Sequence, residues 1–304
     1  METLYAVSVV YNPVGYQSRY RLYHDFASMM ERSNAIFYTV ECAYPDKQFQ
    51  VTKPDNPRHI QLRSDCPIWI KENLMNIGMR SLPADAKYVA FVDADLLWLR
   101  PDWAEETIRQ LHEHAVVQMF SHGIMLDANH CQIKCAPSFA QHYRTVGYAE
   151  LSKHSPGRAW AWRIDALKEI GGLYEHAIIG SGDTYMAFGC LGQVCTSAEE
   201  HSMDFAHHIF DWQSRAFDVV KGKIGVVSGA LCHYWHGDTK DRQYRERRKI
   251  LRHWHYNPDT DIVKNENGVI RLANGSERLA ALRQDIYRYF LSRNEDCTSL
   301  ELKK

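Results

Sequence analysis

Tyr88-Val89-Ala90-Phe91-Val92-Asp93-Ala94-Asp95-Leu96-Leu97-Trp98 decides how the rest of the chain is read. An apolar run enters two carboxylates one residue apart and then resumes. A short continuous apolar run of this kind is a strand buried on both faces, central in a sheet. Two acids inside that core would be costly unless paired or holding a cation. The pattern therefore puts Asp93 and Asp95 where the strand leaves the sheet, at its C-terminal edge. Side chains two apart on a strand point the same way, so both carboxylates can reach one hard divalent ion. Mg²⁺ and Mn²⁺ take oxygen ligands and often combine protein carboxylates with substrate phosphates. A strand followed by an acidic turn is the plainer alternative, and the flanking sequence decides between them.

Upstream, residues 4–10 read as a first buried strand, punctuated by Asn12-Pro13-Val14-Gly15. A helix follows from Tyr16 to Glu31, with Arg19 and Arg21 in its first turns. These are either a solvated basic face or two cations near a diphosphate at the sheet edge. Residues 35–42 read as a second strand ending near Glu41, and His59–Leu62 as a short third. Pro67 opens a helix with Ser64 or Asp65 as cap. Lys71, Glu72 and Asn76 lie on it, and a lone Lys-Glu pair on a helix is usually surface. The order strand, helix, strand, short strand, helix, strand, then two acids is an α/β pattern. It implies a mostly parallel sheet flanked by helices, with ligands at the carboxyl ends of its strands. The dinucleotide Gly-x-Gly-x-x-Gly and the Gly-x-x-x-x-Gly-Lys phosphate loop are absent.

Downstream, Pro101 starts a helix to His114, and 115–120 is a strand. Residues 121–156 read as an irregular insertion with a helix around 137–144. Gly157–Arg163 alternates like a strand, and Ile164–Ile170 is a short helix closed by Gly171-Gly172. Gly180 and Gly182 allow close approach of backbone to ligand. Asp183 after them is either a helix cap or a general base aimed into a cleft. Residues 201–218 are helical. A strand from Ile224 leads to His233 and His236, a pair three apart at a strand end and so a candidate for metal ligation. Residues 237–255 are basic, a solvated face or a clamp for an anion, with Tyr244, Ile250, Leu251 and Trp254 on a buried side. A hairpin around Asn267-Gly268 and a helix from Glu277 to Arg293 close the chain as a C-terminal helical extension. The polar residues after that helix are expected to be mobile.

Composition bounds the rest. The chain has 304 residues, 45% hydrophobic and 24% charged, with a net charge of −1. That is room for a large core in one or two domains and no global basic field for nonspecific nucleic-acid binding. No apolar run approaches the ~20 residues of a membrane span. The start lacks the pattern of a secretory leader. Eight scattered cysteines, without zinc spacing, read as free thiols in a reducing cytosol.

Three blocks together resemble glycosyltransferases of the GT-A fold, in the broad family 2-like group. They are Asp93-Ala94-Asp95 at a strand end, Gly157–Asp183, and a histidine at a late strand end before a charged helix. The second is similar to the β-1,4-galactosyltransferase block, a strand ending in Arg, then a Gly-Gly, then a Gly-rich loop with an acid. Two acids follow the glycines in that family, whereas Gly180-Ser181-Gly182-Asp183 carries one. The resemblance implies a catalytic domain over 1–255, with 256–304 packing on it as a hairpin and helix. It implies a metal-dependent inverting transfer of a sugar from a nucleotide-diphosphate sugar, UDP-linked by preference. On that reading Asp93, Asp95 and His233 or His236 hold Mn²⁺ or Mg²⁺, and Asp183 is the catalytic base. Asn12, Arg19, Arg21, Glu41, Lys71, Asn76 and Ala94 line the donor site. Trp160, Trp162, Gly182 and Trp235 line the acceptor site. The acceptor is a glycan, a lipid-linked sugar or a modified DNA base, in a cytoplasmic bacterial or virus-encoded enzyme. A nucleotidyltransferase and a non-catalytic carbohydrate-binding protein on the same scaffold are the competing readings.

Overall fold

The fully buried strand expected at 88–92 lies in the middle of a sheet whose strands, with one exception, run the same way. The computed structural model describes residues 2–194 and 199–297. In chain order its first half holds β1 (Leu4–Tyr11), α1 (Gln17–Met30), β2 (Ile36–Ala43), β3 (His59–Arg63), α2 (Lys71–Arg80), β4 (Tyr88–Val92), β5 (Leu96–Trp98), α3 (Trp103–Glu113), β6 (Val116–Gln118), β7 (His122–Leu126), β8 (Gln132–Pro137) and α4 (Phe139–Val146). The second half holds β9 (Ala159–Arg163), α5 (Ile164–Ile170), α6 (Gly182–Cys190), α7 (Met203–Val220), β10 (Ile224–Val226), β11 (Ala230–His233), α8 (Glu246–His253), α9 (Pro258–Asp261), β12 (Ile262–Lys264), β13 (Ile270–Leu272) and α10 (Glu277–Ser292). The main sheet has seven strands in the order β10-β6-β9-β4-β1-β2-β3. Only β9 is antiparallel to its neighbours, β4 and β6. The expected α/β class, a mostly parallel sheet flanked by helices, is what the chain adopts.

A second sheet of four strands, β5-β11-β7-β8, covers the carboxyl edge of the first. Half of it comes from the segment expected to be irregular. The strand β8, Gln-Ile-Lys-Cys-Ala-Pro, is exposed along most of its length. It is an edge strand carrying Lys and Pro, which blunt edge-to-edge association and erase the alternation that marks a strand. A further correction concerns α2, which begins at Lys71, not at Pro67, and has no side-chain cap. The Trp69 N–H donates instead to Ile178 O (2.9 Å), tying the extended residues before α2 to the loop after α5. Ser64 Oγ accepts from Cys66 N and so shapes a turn. The basic segment after Gly237 is a short 3₁₀ turn, Thr239–Arg242, and then α8, rather than one helix. Tyr244 lies outside its buried side, 45% exposed.

The C-terminal segment shares the main core. Ile270, Leu279, Leu282, Ile286 and Phe290 pack with β1, α2 and β9 residues in one apolar cluster. Residues 294–297, the start of the tail expected to be mobile, pack on the rest of the chain, and the remainder of that tail lies outside the described residues. The Asp296 carboxylate accepts from Gln17 N (2.9 Å) and Ser18 N (2.8 Å), capping α1 from the far end of the chain. Cys42, Cys66, Cys131, Cys135, Cys190 and Cys232 are free thiols, and Cys195 lies outside the described residues. Among the described residues no helix is long and apolar enough to cross a membrane.

Glu175 ties the hairpin β12–β13 to α2. Its carboxylate takes Lys264 Nζ at 2.5 Å and the amides of Asn73 and Asn76 at 3.0 Å each. Burial alone would raise this carboxyl, but these three donors hold it below the ordinary Glu value. A depressed native value means the contribution is complete above about pH 4.5, the unfolded value, and is lost as pH falls through the native one. Glu175→Gln is expected to lower stability at pH 7 by about 1–3 kcal/mol. In thermal melts from pH 7 to 3, the wild type should converge on the variant toward acid. A constant gap across that range would show that the ionised carboxylate is not what stabilises.

Candidate metal and catalytic cleft

The pairing of β5 with β11 builds the first part of the site. His233 sits opposite Leu96 in this antiparallel ladder, and Tyr234 N donates to Asp95 O (2.9 Å). Asp95 is thereby fixed beside the end of β11. Its Oδ2 lies 3.0 Å from His236 Nε2 and its Oδ1 3.7 Å from His233 Nε2. One ligand atom from each of the three lies within 4.8 Å of the others. Asp95 Oδ1 is buried and accepts no hydrogen bond, an expense that a cation between these groups would remove. Burial pushes both imidazoles down, against the pull of Asp95. Burial would raise Asp95, but the facing histidines, with Arg242, hold it ionised. Arg242 Nη2 lies 3.1 Å from His236 Nε2. Asp95 Oδ2, an acceptor, and this guanidinium, a donor, thus meet at the same nitrogen, and the other ring nitrogen is Nδ1. That Nδ1 faces Glu295 Oε2 at 4.0 Å, the outer carboxylate common behind metal-binding histidines. The three residues therefore fit a divalent ion in residue type and geometry.

Asp93 departs from the expected ligand set. Its Oδ1 is ion-paired with Lys71 Nζ, from the first turn of α2. Burial, with the neighbouring Asp95, pushes its carboxyl up, and Lys71 opposes them. Ala94, between the two acids, lines the cleft.

The second part of the site is the loop into α6. Gly180 (φ 88°) and Ser181 (φ 77°) are both left-handed, which turns the chain sharply into the helix. Asp183 follows in the first helical turn. Its Oδ1 accepts from Thr184 N (2.8 Å), so it serves in part as the cap. Its Oδ2 faces Gly157, where a Cβ would come within 2.6 Å. Gly182 lies under the carboxyl of Glu72, again 2.6 Å from a built Cβ. Glu72 is 8% exposed, not the surface residue expected of a Lys-Glu pair. Burial pushes its carboxyl up to about 7, against the pull of Lys71 and helped by Asp183.

Guanidinium groups form the opposite wall. Arg19, Arg242, Arg247 and Arg293 line the same cleft as Asp95 and Asp183, with Tyr11 and Trp69. Glu295 takes Arg19 (2.5 and 2.8 Å) and Arg293 (2.5 Å). Tyr289 OH takes Arg247 (2.7 Å) and Arg293 (2.8 Å). Both guanidiniums also lie over the Trp69 ring, at 5.5 and 5.3 Å. The Nε groups of Arg242 and Arg247 are buried without a partner. Such forked donors suit phosphate oxygens. Glu72, Arg247, Arg293 and Glu295 were not legible as site residues, because each looks like a solvated charge in sequence.

Several expected contacts fall elsewhere. Arg21 is exposed on α1, two residues on from Arg19 and so about 200° round the helix. Asn12 closes its own turn, accepting from Gly15 N and Tyr16 N and donating to Tyr16 O (2.9, 3.0 and 2.8 Å). Glu41 accepts from the backbone N–H groups of Gln50, Val51 and Thr52 and from the Thr52 hydroxyl, pinning that loop. Asn12 and Glu41 border a separate crevice with Tyr20 and Tyr44. Asn76 is buried and fixes Leu173, donating to its O and accepting from its N (both 2.9 Å). Trp162 is wholly buried in the core. Trp235 donates to Cys297 O (3.4 Å) and packs on the C-terminal tail. Trp160, its Nε1 on Pro156 O, walls an inner chamber behind Asp183. For Asn12, Glu41, Asn76, Trp160 and Trp235 an intramolecular partner takes the polar group, whereas Trp162 is buried with its Nε1 unpartnered among the described residues.

No family model matches this chain, and no curated protein matches it. Among solved structures it is similar to S. aureus TarS 1-349, at 12% identity over 96% of this chain and 71% of that one, with a TM-score of 0.43. It is similar to a Drosophila β1,4-galactosyltransferase 7 mutant in complex with manganese, UDP-Gal and xylobiose, at 11% identity over 92% and 98%, with a TM-score of 0.42. It is also similar to mannosyl-3-phosphoglycerate synthase from Rubrobacter xylanophilus, at 11% identity over 90% and 84%, with a TM-score of 0.41. At such identities and scores these likenesses carry no activity over to this chain.

The cleft makes a direct test available. Titrating the protein with Mn²⁺, followed by the loss of free-ion paramagnetic resonance, should give one site. Asp95→Ala, His233→Ala and His236→Ala are each expected to weaken it at least about tenfold. Asp93→Ala should weaken it less, because Lys71 already holds that carboxylate. Unchanged affinity in the three ligand variants would remove the metal site.

Proposed function

We propose that the chain is a metal-dependent inverting glycosyltransferase that uses a nucleotide-diphosphate sugar, by preference a UDP-sugar. One observation carries the reading. The Asp95-His233-His236 triad, a set of buried guanidiniums and the Asp183 carboxylate all line one cleft at the carboxyl edge of the sheet. The resemblance of the three sequence blocks to GT-A enzymes supports it. Two imidazoles and one carboxylate favour Mn²⁺ over Mg²⁺, whose preference is for oxygen alone. When bound, the ion would supply Lewis-acid stabilisation of the diphosphate.

The chain's own residues do the rest. Arg19, Arg242, Arg247 and Arg293 bind the phosphate oxygens and hold the leaving group in place. Lys71, pinned by Asp93, adds a fixed positive charge between the two ends of the cleft. Asp183 Oδ2 takes the proton of the acceptor hydroxyl as its oxygen bonds to the anomeric carbon. The bond from that carbon to the diphosphate breaks on the opposite face, and its electron pair leaves with the phosphate. One displacement inverts the anomeric centre. A nucleotidyltransferase would need free backbone N–H groups after β1 to cradle a triphosphate. Asn12 already occupies those of Gly15 and Tyr16.

Asp183→Asn keeps shape and the Thr184 contact but removes the base. It is expected to lower transfer from UDP-sugars by at least about 100-fold. Calorimetric binding of UDP with Mn²⁺ should stay near that of the wild type. A parallel loss of UDP binding would make Asp183 a structural cap. Absence of Mn²⁺-dependent binding of any nucleoside diphosphate by the wild type would sink the transferase reading itself.

A further inference from the structure

Glu72 has no part in the chemistry above, yet it is placed like a substrate-binding group. It borders both the main cleft and the inner chamber, with Lys71 and Asp183. It is 8% exposed. Its carboxyl takes a hydrogen bond from its own backbone N–H, and among the described residues no side chain hydrogen-bonds or ion-pairs to it. Most of the carboxyl's acceptor capacity is therefore left for a ligand. Two glycines make room for the two acids. A Cβ at Gly157 would strike Asp183 Oδ2, and one at Gly182 would strike the Glu72 carboxyl, each at 2.6 Å. The inner chamber, about 30 Å³, takes a water or two but no sugar ring. The groups these carboxylates serve must therefore come from the main cleft.

We propose that Glu72 binds the acceptor, holding a second hydroxyl beside the one that Asp183 deprotonates, and that the acceptor is a neutral polyhydroxyl compound such as a glycan end. The inference rests on the transferase reading. Its electrostatic argument is local. At the Asp183 end two carboxyls face the cleft, and Lys71, beside them, is already ion-paired with Asp93. Arg158 faces the inner chamber, and Arg247 is held by Tyr289 and Ser181. An acceptor bringing a phosphate here would meet like charge at short range. A pair of hydroxyls would give each carboxyl group a hydrogen-bond partner without adding charge. The same argument disfavours a nucleic-acid acceptor.

The test uses the full chain loaded with Mn²⁺ and UDP. Saturation-transfer NMR would follow methyl β-D-glucopyranoside, methyl β-D-galactopyranoside, glucose 6-phosphate and a short single-stranded oligonucleotide. The expected result is binding of a neutral glycoside, weakened about tenfold in Glu72→Gln, with Mn²⁺-dependent UDP binding unchanged. Four results overturn the proposal while leaving the transferase reading intact. These are glycoside binding undiminished in Glu72→Gln, tighter binding of the phosphate or oligonucleotide, no glycoside binding at all, or loss of UDP binding in Glu72→Gln, which makes Glu72 structural. If the wild type fails to bind UDP, the transferase reading falls and takes this inference with it.

Discussion

Two carboxylates leave the buried centre of a sheet within three residues, and the structure around them is arranged by how their charge is met. Asp93 and Asp95 follow a strand with every residue buried. Both side chains stay partly exposed, at 24% and 19%, where they line the cleft. The two are served separately. Asp93 takes Lys71 from α2, and Asp95 takes the two imidazoles at the end of β11. The separation follows from Coulomb repulsion between neighbouring acids, and it gives one end of the cleft an ion site and its middle a fixed ammonium. The ladder between β5 and β11 is what makes the second pairing possible, so the small sheet is as much a part of the site as the large one.

Long-range contacts finish what the sheets begin. Glu295, almost at the end of the described chain, is the counter-charge for Arg19 on α1 and for Arg293. The stacking of Phe290 on Trp69 (6.2 Å, 8° between planes) locks α10 against the segment that leads into Lys71 and Glu72. That segment in turn takes the carbonyl of Ile178, so the acid loop, the lysine and the guanidinium wall move as one body. Rigid mutual placement of this sort is what a reaction between two bound molecules demands.

How far the sequence could be read follows from how local each signal is. The apolar run into Asp93-Ala94-Asp95, the glycines before Asp183 and the two late histidines are short-range patterns, and each has a physical meaning without knowledge of the fold. The sheet class follows from the order of the elements. By contrast, Arg247 and Arg293 sit in stretches that look like solvated helix surface, and only the packing of α8 and α10 against Trp69 buries them. Asn12, Glu41 and Asn76 are polar residues near strand and helix ends, the pattern of ligand contacts. A turn, a loop and a backbone amide reach them first. Trp160 and Trp162 alternate as a half-exposed strand would, but strands on both sides and helices above and below bury both. The antiparallel β9 and the edge strand β8 depend on partners far away in the chain, which no window of residues contains.

The cap that Asp296 places on α1 links two segments 278 residues apart. A ribosome adds about 5–20 residues per second, so α1 waits on the order of 15–60 s for the residue that satisfies its first N–H groups. Over that interval Arg19 has no Glu295, and the guanidinium wall lacks Arg293. The sheet can assemble progressively from its N-terminal strands, but the cleft closes only when the last helix docks. The candidate site is therefore completed only late in the synthesis of each molecule.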